Sequence, residues 1–238
     1  MLRYLLRAWQ RHPPARFLRL LAYNLYLSVQ RATSGRQPAF LDAFDAAHGT
    51  DTAGVRNLGS LDVRGAVAKH ANGYYATSVD LFQRVMQGLP LNLASYSFVD
   101  FGSGKGRIVL LALRYPFKCI RGVEFSPELH EIARRNLGIY KDTQRKCTDV
   151  ELVLGDATDF KIPAGPLVAY FYNPFNEHVM VNVLARIEKS LTESQAPAFV
   201  AYVTPVHRDI LDRSEKWMLE QEDPQFVIYR FKCAADGV

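Results

Sequence analysis

The clearest pattern along the chain is a regular alternation that begins at Ser97. Short apolar runs recur as "SFVDF", "CIRGVEF", "VELVLGD", "PLVAYFYN", "AFVAYV" and "FVIYRF". Amphipathic stretches of helical spacing fall between the earlier ones, chiefly "PELHEIARRNLGIY" and "EHVMVNVLARIEKSL". Fully apolar runs separated by helices predict crossover connections and a mostly parallel sheet covered on both faces. The segment upstream, residues 42–96, is mixed. It contains loop-like "HGTDTAGVRNLGS", an "ANGYYATS" turn, and a helix expected over about Val79–Gln87 on the stripe Val79, Phe82, Val85 and Met86. Residues 1–41 predict two amphipathic helices broken at Pro13-Pro14, with Leu2, Leu5, Leu6 and Trp9 on one face of the first and a Pro/Gly/Ser-containing linker "ATSGRQPAF" at the end.

Charge sharpens this division. The first 41 residues hold seven arginines (Arg3, Arg7, Arg11, Arg16, Arg19, Arg31, Arg36) and no Lys, Asp or Glu, whereas the whole chain carries only +5. The basic pI belongs to the arm, and the remainder is mildly acidic. A basic amphipathic arm packs on its own domain with its arginines in water, or meets a partner or an anionic membrane surface through residues 1–36. The three cysteines, Cys119, Cys147 and Cys233, form no CxxC pair, which argues for reduced thiols, a cytoplasmic setting and neither a disulfide framework nor a metal site. No apolar run reaches the ~18 residues of a membrane-spanning helix.

The candidate chemistry centres on "DFGSGKGR", Asp100 to Arg107. A P-loop needs GxxxxGK followed by Ser or Thr; here Gly106 follows Lys105, and Val99 stands where the first glycine belongs. A dinucleotide fingerprint needs GxGxxG, and the third glycine comes one residue early. A loop that cradles only anions has no evident use for Asp100 in front of it. A ligand with positive centres does, and S-adenosylmethionine carries an α-ammonium and a sulfonium. Glu124, at the end of the second strand run, suits ribose hydroxyls; Asp156, at the end of the third, suits an adenine edge.

Together "DFGSGKGR", "GVEFS" and "GDATDF" resemble the motifs of class I, seven-strand S-adenosylmethionine-dependent methyltransferases, over about Tyr74 to Tyr229. The resemblance implies a Rossmann-like, doubly wound, mostly parallel seven-strand α/β sheet with an N-terminal helical extension. It divides the chain into an arm (1–41), a cap segment (42–96) and a methyltransferase core (97–238). It also implies cofactor contacts from Asp100, Gly102, Ser103, Gly104, Glu124, Asp156 and Ala157, with Tyr75 closing from upstream beside Tyr74 and Thr77, and Asp51 and Thr52 lining the same lid. The fourth strand ends in Tyr172-Asn173-Pro174-Phe175, which resembles the [Asp/Asn]-Pro-Pro-[Tyr/Phe] motif of enzymes that methylate amino nitrogens, with one proline missing. This implies that Asn173 and Pro174 hold the acceptor nitrogen and that Tyr172 or Phe175 packs on it. The pattern is similar, more distantly, to protein-lysine methyltransferases of the telomeric-silencing histone type.

The expected function is methyl transfer to an amino nitrogen, a protein lysine above all. RNA or a small metabolite is the alternative acceptor, and a cofactor-binding module without activity is the rival. Arg107 is expected to touch a substrate acid or a strand end. His178 and His207 follow strand ends and are read as surface or capping residues.

Overall fold

The computed structural model describes residues 42–56, 74–89 and 92–232. The arm of residues 1–41, its helices and Cys233 lie outside the described residues. After helix α1 (Ala43–His48), a two-residue antiparallel ladder joins β1 (Val55–Arg56) to β2 (Tyr74–Tyr75), and α2 (Val79–Gln87) follows. The alternating part then runs β3 (Ser97–Phe101), α3 (Arg107–Ala112), β4 (Cys119–Glu124), α4 (Pro127–Ile139), β5 (Val150–Leu154), β6 (Leu167–Tyr172), α5 (Glu177–Ser194), β7 (Ala198–Val203), α6 (Asp209–Asp212), β8 (Trp217–Glu222) and β9 (Phe226–Phe231).

Seven strands form one sheet in the order β5-β4-β3-β6-β7-β9-β8. The pairs from β5 to β7 are parallel, and β9 is antiparallel to both neighbours. The expected Rossmann-like, doubly wound, mostly parallel sheet is therefore present. From β3 the chain winds one way through β4 and β5, then crosses back to β6 and winds the other way. That reversal makes β3 and β6 neighbours and opens a crevice between their carboxyl ends, where doubly wound folds hold ligands.

Alternation along the strands sorts the core into two layers. Phe98, Val168, Tyr170, Ala201 and Val203 face a cluster completed by α2 and α3. Val99, Phe101, Ala169, Phe171, Val200 and Tyr202 face the cluster completed by α5. Asp100, one step beyond Val99, is thereby turned toward the α2–α3 side.

The helices begin where their caps dictate. Ser78 accepts from Leu81 N–H, Ser126 from Leu129 N–H with Pro127 opening the helix, and Asn176 from Val179 N–H. Helix α2 has the bounds that its stripe predicts.

Helix α1, the β1–β2 ladder, α6 and β8 were not expected. Helix α1 lies in a stretch read as mixed, and β8 supplies the seventh strand. Only Trp217 of β8 is buried, and Met218, Leu219, Glu220 and Glu222 are exposed, so this edge strand carries no apolar run to betray it.

Candidate functional site

The glycine loop leaves β3 with Gly102, Gly104 and Gly106 all at positive φ (81°, 53° and 86°). Gly102 N–H and Ser103 N–H both donate to Val123 O, at 2.9 and 3.0 Å, and Gly106 N–H closes the turn on Ser103 O at 2.8 Å. Gly102 is required twice over. Its φ disfavours any side chain, and a Cβ there would lie 2.5 Å from Pro174 Cβ. The glycine loop and the Asn-Pro-Phe corner, far apart in sequence, are therefore in contact at the switch point.

Three acids surround the loop, each held differently. Asp100 is 3% exposed and its Oδ2 has no hydrogen-bond partner. Burial pushes its carboxyl well above the usual carboxylate range, and the charge of Glu124 pushes the same way. Glu124 is equally buried, but accepts from Gly104 N–H and Ser126 N–H, both at 2.8 Å. Burial raises it to about 7 against the pull of those N–H groups. Asp156 is partly exposed, and its Oδ1 accepts from the Thr158 N–H and hydroxyl at 2.8 Å each. Asp156 also lines an open cleft of about 680 Å³ beside β5. The β5–β6 connection, residues 155–166, contains no helix. Ala157 is buried, and Ser103 is buried with its Oγ unpartnered.

The Asn-Pro-Phe corner follows β6. Asn173 is 3% exposed and left-handed, with φ 40°. Its Oδ1 accepts from the Tyr202 hydroxyl at 3.2 Å, and that oxygen in turn receives His207 N–H at 3.4 Å. Phe175 is buried edge-on to Phe171 at 6.5 Å and is first of all a core residue. Tyr172 is half-buried and packs on the opposite layer. His178 lies on the first turn of α5, 3.3 Å from the Asn182 amide.

Two cations in and beside the glycine loop bind the upstream segment rather than a phosphate or a substrate acid. Lys105, side chain 4% exposed, donates to Asp51 Oδ1 at 2.6 Å and Ala53 O at 2.9 Å. Arg107 donates to Asp42 Oδ1 at 2.6 Å and Thr52 Oγ1 at 2.7 Å, and lies 3.5 Å from Asp45 Oδ2. Its guanidinium stands over the Phe44 ring at 5.1 Å. Burial works against the Asp42 charge, yet the Arg107 guanidinium and neighbouring N–H groups hold its carboxyl below the ordinary value. Asp45 completes the strap by accepting from the Thr50 and Thr52 hydroxyls and the Thr52 and Ala53 N–H groups. The expectation for Arg107 is thus corrected: its partners are Asp42, Asp45 and Thr52. Asp51 and Thr52 do lie against the loop. Tyr75 pairs through its backbone with Val55, Thr77 is buried with its carbonyl 3.5 Å from Arg107, and the side chains of Tyr74 and Tyr75 lie outside the described residues.

Sequence reasoning missed the Lys105–Arg107 clamp and Tyr202. The only signal for Tyr202 was a tyrosine near the carboxyl end of the strand next to β6, where register places it opposite Phe171. Among the described residues no group of His, Cys, Asp and Glu is placed to hold a metal, and no helix is long and apolar enough to cross a membrane.

No protein-family profile and no curated protein sequence matches the chain. Among solved structures, it is similar to an RNA methyltransferase from Salinibacter ruber in complex with S-adenosyl-L-homocysteine (20% identity, 65% of this chain and 91% of that one, TM-score 0.42). It is also similar to a ribosomal protein L11 methylase from Lactobacillus delbrueckii subsp. bulgaricus (14%, 77% and 99%, TM-score 0.45). A third is the 23S rRNA methyltransferase ErmE (13%, 67% and 69%, TM-score 0.47).

Proposed function

We propose that this protein is an S-adenosylmethionine-dependent methyltransferase acting on an amino nitrogen, with a protein lysine as the preferred acceptor. The observation that carries the reading is the contact between Gly102 and Pro174, beside two buried polar atoms, Asp100 Oδ2 and Ser103 Oγ, that no protein group satisfies. A buried carboxylate without a partner is costly, and a cationic ligand relieves that cost. The residues fit the cofactor. Asp100 answers its ammonium, Glu124 its ribose hydroxyls, and Asp156 with the Ala157 N–H its adenine edge, while Gly102, Ser103 and Gly104 give the backbone close approach. Glu124 already accepts two N–H groups, and an ionised carboxylate has lone pairs for two more donors.

The cofactor supplies a methyl group on a sulfonium. When bound it would give that methyl to the nitrogen and leave as S-adenosylhomocysteine. The protein has to place the nitrogen in line and exclude water. Asn173 Oδ1 and the Pro174 carbonyl accept acceptor N–H groups and so aim the lone pair, with Tyr172 alongside. A lysine must first lose a proton, which desolvation at this buried corner favours. Cations near this end of the sheet, Arg84, Lys105, Arg107 and Arg208, are each paired with carboxylates, which does not favour a polyphosphate acceptor. The seven arginines of residues 1–41 are the observation that favours RNA as the second reading.

The test is labelled S-adenosylmethionine supplied with the protein to extract from cells lacking it, divided between protease and nuclease. Label lost only to protease supports the lysine reading; label lost only to nuclease moves the acceptor to RNA. Asn173→Ala should keep its affinity for S-adenosylhomocysteine while transfer falls about tenfold or more. A wild type that binds the cofactor and labels no acceptor is a binding module.

A further inference from the structure

We infer that Tyr202 is a positioning residue that fixes which end of the Asn173 amide faces the acceptor. The inference rests on the proposed amino-nitrogen reading. An asparagine amide can present either its oxygen or its NH2, and only the oxygen can accept an N–H. Nothing in the left-handed backbone of Asn173 chooses between the two.

The neighbouring strand supplies a contact that favours the oxygen. The Tyr202 ring is fully buried and lies 6.1 Å from the Phe171 ring, at 63°. Its hydroxyl oxygen receives the backbone N–H of His207 at 3.4 Å, so its single proton points away, toward Asn173 Oδ1 at 3.2 Å. Backbone N–H to phenol to amide oxygen is a chain with one direction. Reversing the amide would set its NH2 against the phenol proton and break the chain. A carbonyl oxygen has two lone-pair sites, so accepting from Tyr202 is compatible with accepting an acceptor N–H. The device also bears on specificity. An amide locked with its oxygen forward rewards acceptors that bring an N–H and gives no donor to those that bring a bare oxygen.

The test compares wild type, Tyr202→Phe, Asn173→Asp and the double variant. Affinity is measured for S-adenosylhomocysteine by calorimetry, and transfer from labelled S-adenosylmethionine into extract proteins at saturating cofactor. A carboxylate has no wrong end, so Asn173→Asp removes the need for an orienting phenol. Tyr202→Phe should lower transfer about tenfold with cofactor affinity within about twofold, and should change transfer less than about twofold when Asp stands at 173. Transfer at the wild-type rate in Tyr202→Phe overturns the inference. So does an equal loss in both backgrounds, which would mark Tyr202 as packing alone.

A readout independent of turnover is the Asn173 side-chain amide by nitrogen-15 NMR. In the wild type it should give one narrow pair of proton signals, which broadens or splits in Tyr202→Phe; an unchanged pair overturns the inference. A wild type that binds cofactor, shows the ordered amide and transfers to nothing refutes the methyltransferase reading, not the role of Tyr202 in holding the amide.

Discussion

Glu124 makes the pH dependence of stability a direct probe of the site. In the folded protein its carboxyl titrates at about 7, whereas an unhindered glutamate titrates at 4.5. Between those values the folded protein holds a proton that the unfolded chain has released, so stability is greatest below pH 4.5 and falls as pH rises through 7. The displacement corresponds to about 3 kcal/mol at full ionisation, at about 1.4 kcal/mol per pH unit. Asp100 is displaced in the same direction and steepens the fall. Opposing groups act elsewhere: Asp142, held at about 2 despite burial, matters only in strong acid.

The contribution of Glu124 is isolated by subtracting the denaturation free energies of Glu124→Gln from those of the wild type at each pH. Glutamine cannot satisfy both the Gly104 and Ser126 N–H groups, so its absolute stability is offset by about 1–3 kcal/mol. That offset does not vary with pH, and loss of the Glu124 charge also relieves Asp100, which deepens the drop without reversing it. The difference curve should drop by about 3 kcal/mol between pH 4.5 and 8. A flat or rising curve would refute the reasoning.

Four further outcomes follow from the same geometry. Affinity for S-adenosylhomocysteine, measured by calorimetry, should weaken about tenfold from pH 8 to pH 6, because ionised Glu124 becomes the minority form below 7. Asp100→Asn should leave the melting temperature equal or higher, since it removes an unpartnered buried acid, while weakening cofactor affinity about tenfold or more. Arg107→Met should cost about 3 kcal/mol in urea denaturation by leaving the buried charge of Asp45 and the half-buried charge of Asp42 without their cation, more than loss of a surface ion pair. Gly102→Ala, forced against Pro174 at a φ of 81°, should destabilise by about 1–3 kcal/mol and lower cofactor affinity together; an effect on neither would mean that the loop and corner are not in contact.

What the sequence made legible was local. The six apolar runs, the Val79–Gln87 stripe and the Ser126-Pro127 start of α4 each carry their signal within a few residues, and each is present. The acids that end β3 and β4 were legible because strand ends in this fold face the crevice. Three features were not, each for its own reason. Edge strand β8 buries only Trp217, so its composition resembles a loop. The clamp depends on pairings such as Lys105 with Asp51 and Arg107 with Asp42, across a stretch of sequence with no periodicity to link them. The packing of Phe175 against Phe171 and the α5 layer was hidden because its motif announces a site residue and not a core one.

The clamp also bears on where the functional unit begins. A fragment opening at residue 57 would keep all seven strands of the main sheet, the three loop glycines and every acid at the strand ends. It would still leave Lys105 and Arg107 as buried cations stripped of Asp42, Asp45, Asp51 and Thr52. The sheet is therefore not a portable module that can be cut at its first strand. Fusions, domain exchanges and shortened versions of this protein should retain the chain from Asp42 onward, and an insertion between Asp42 and Ala53 falls within the unit that holds the glycine loop.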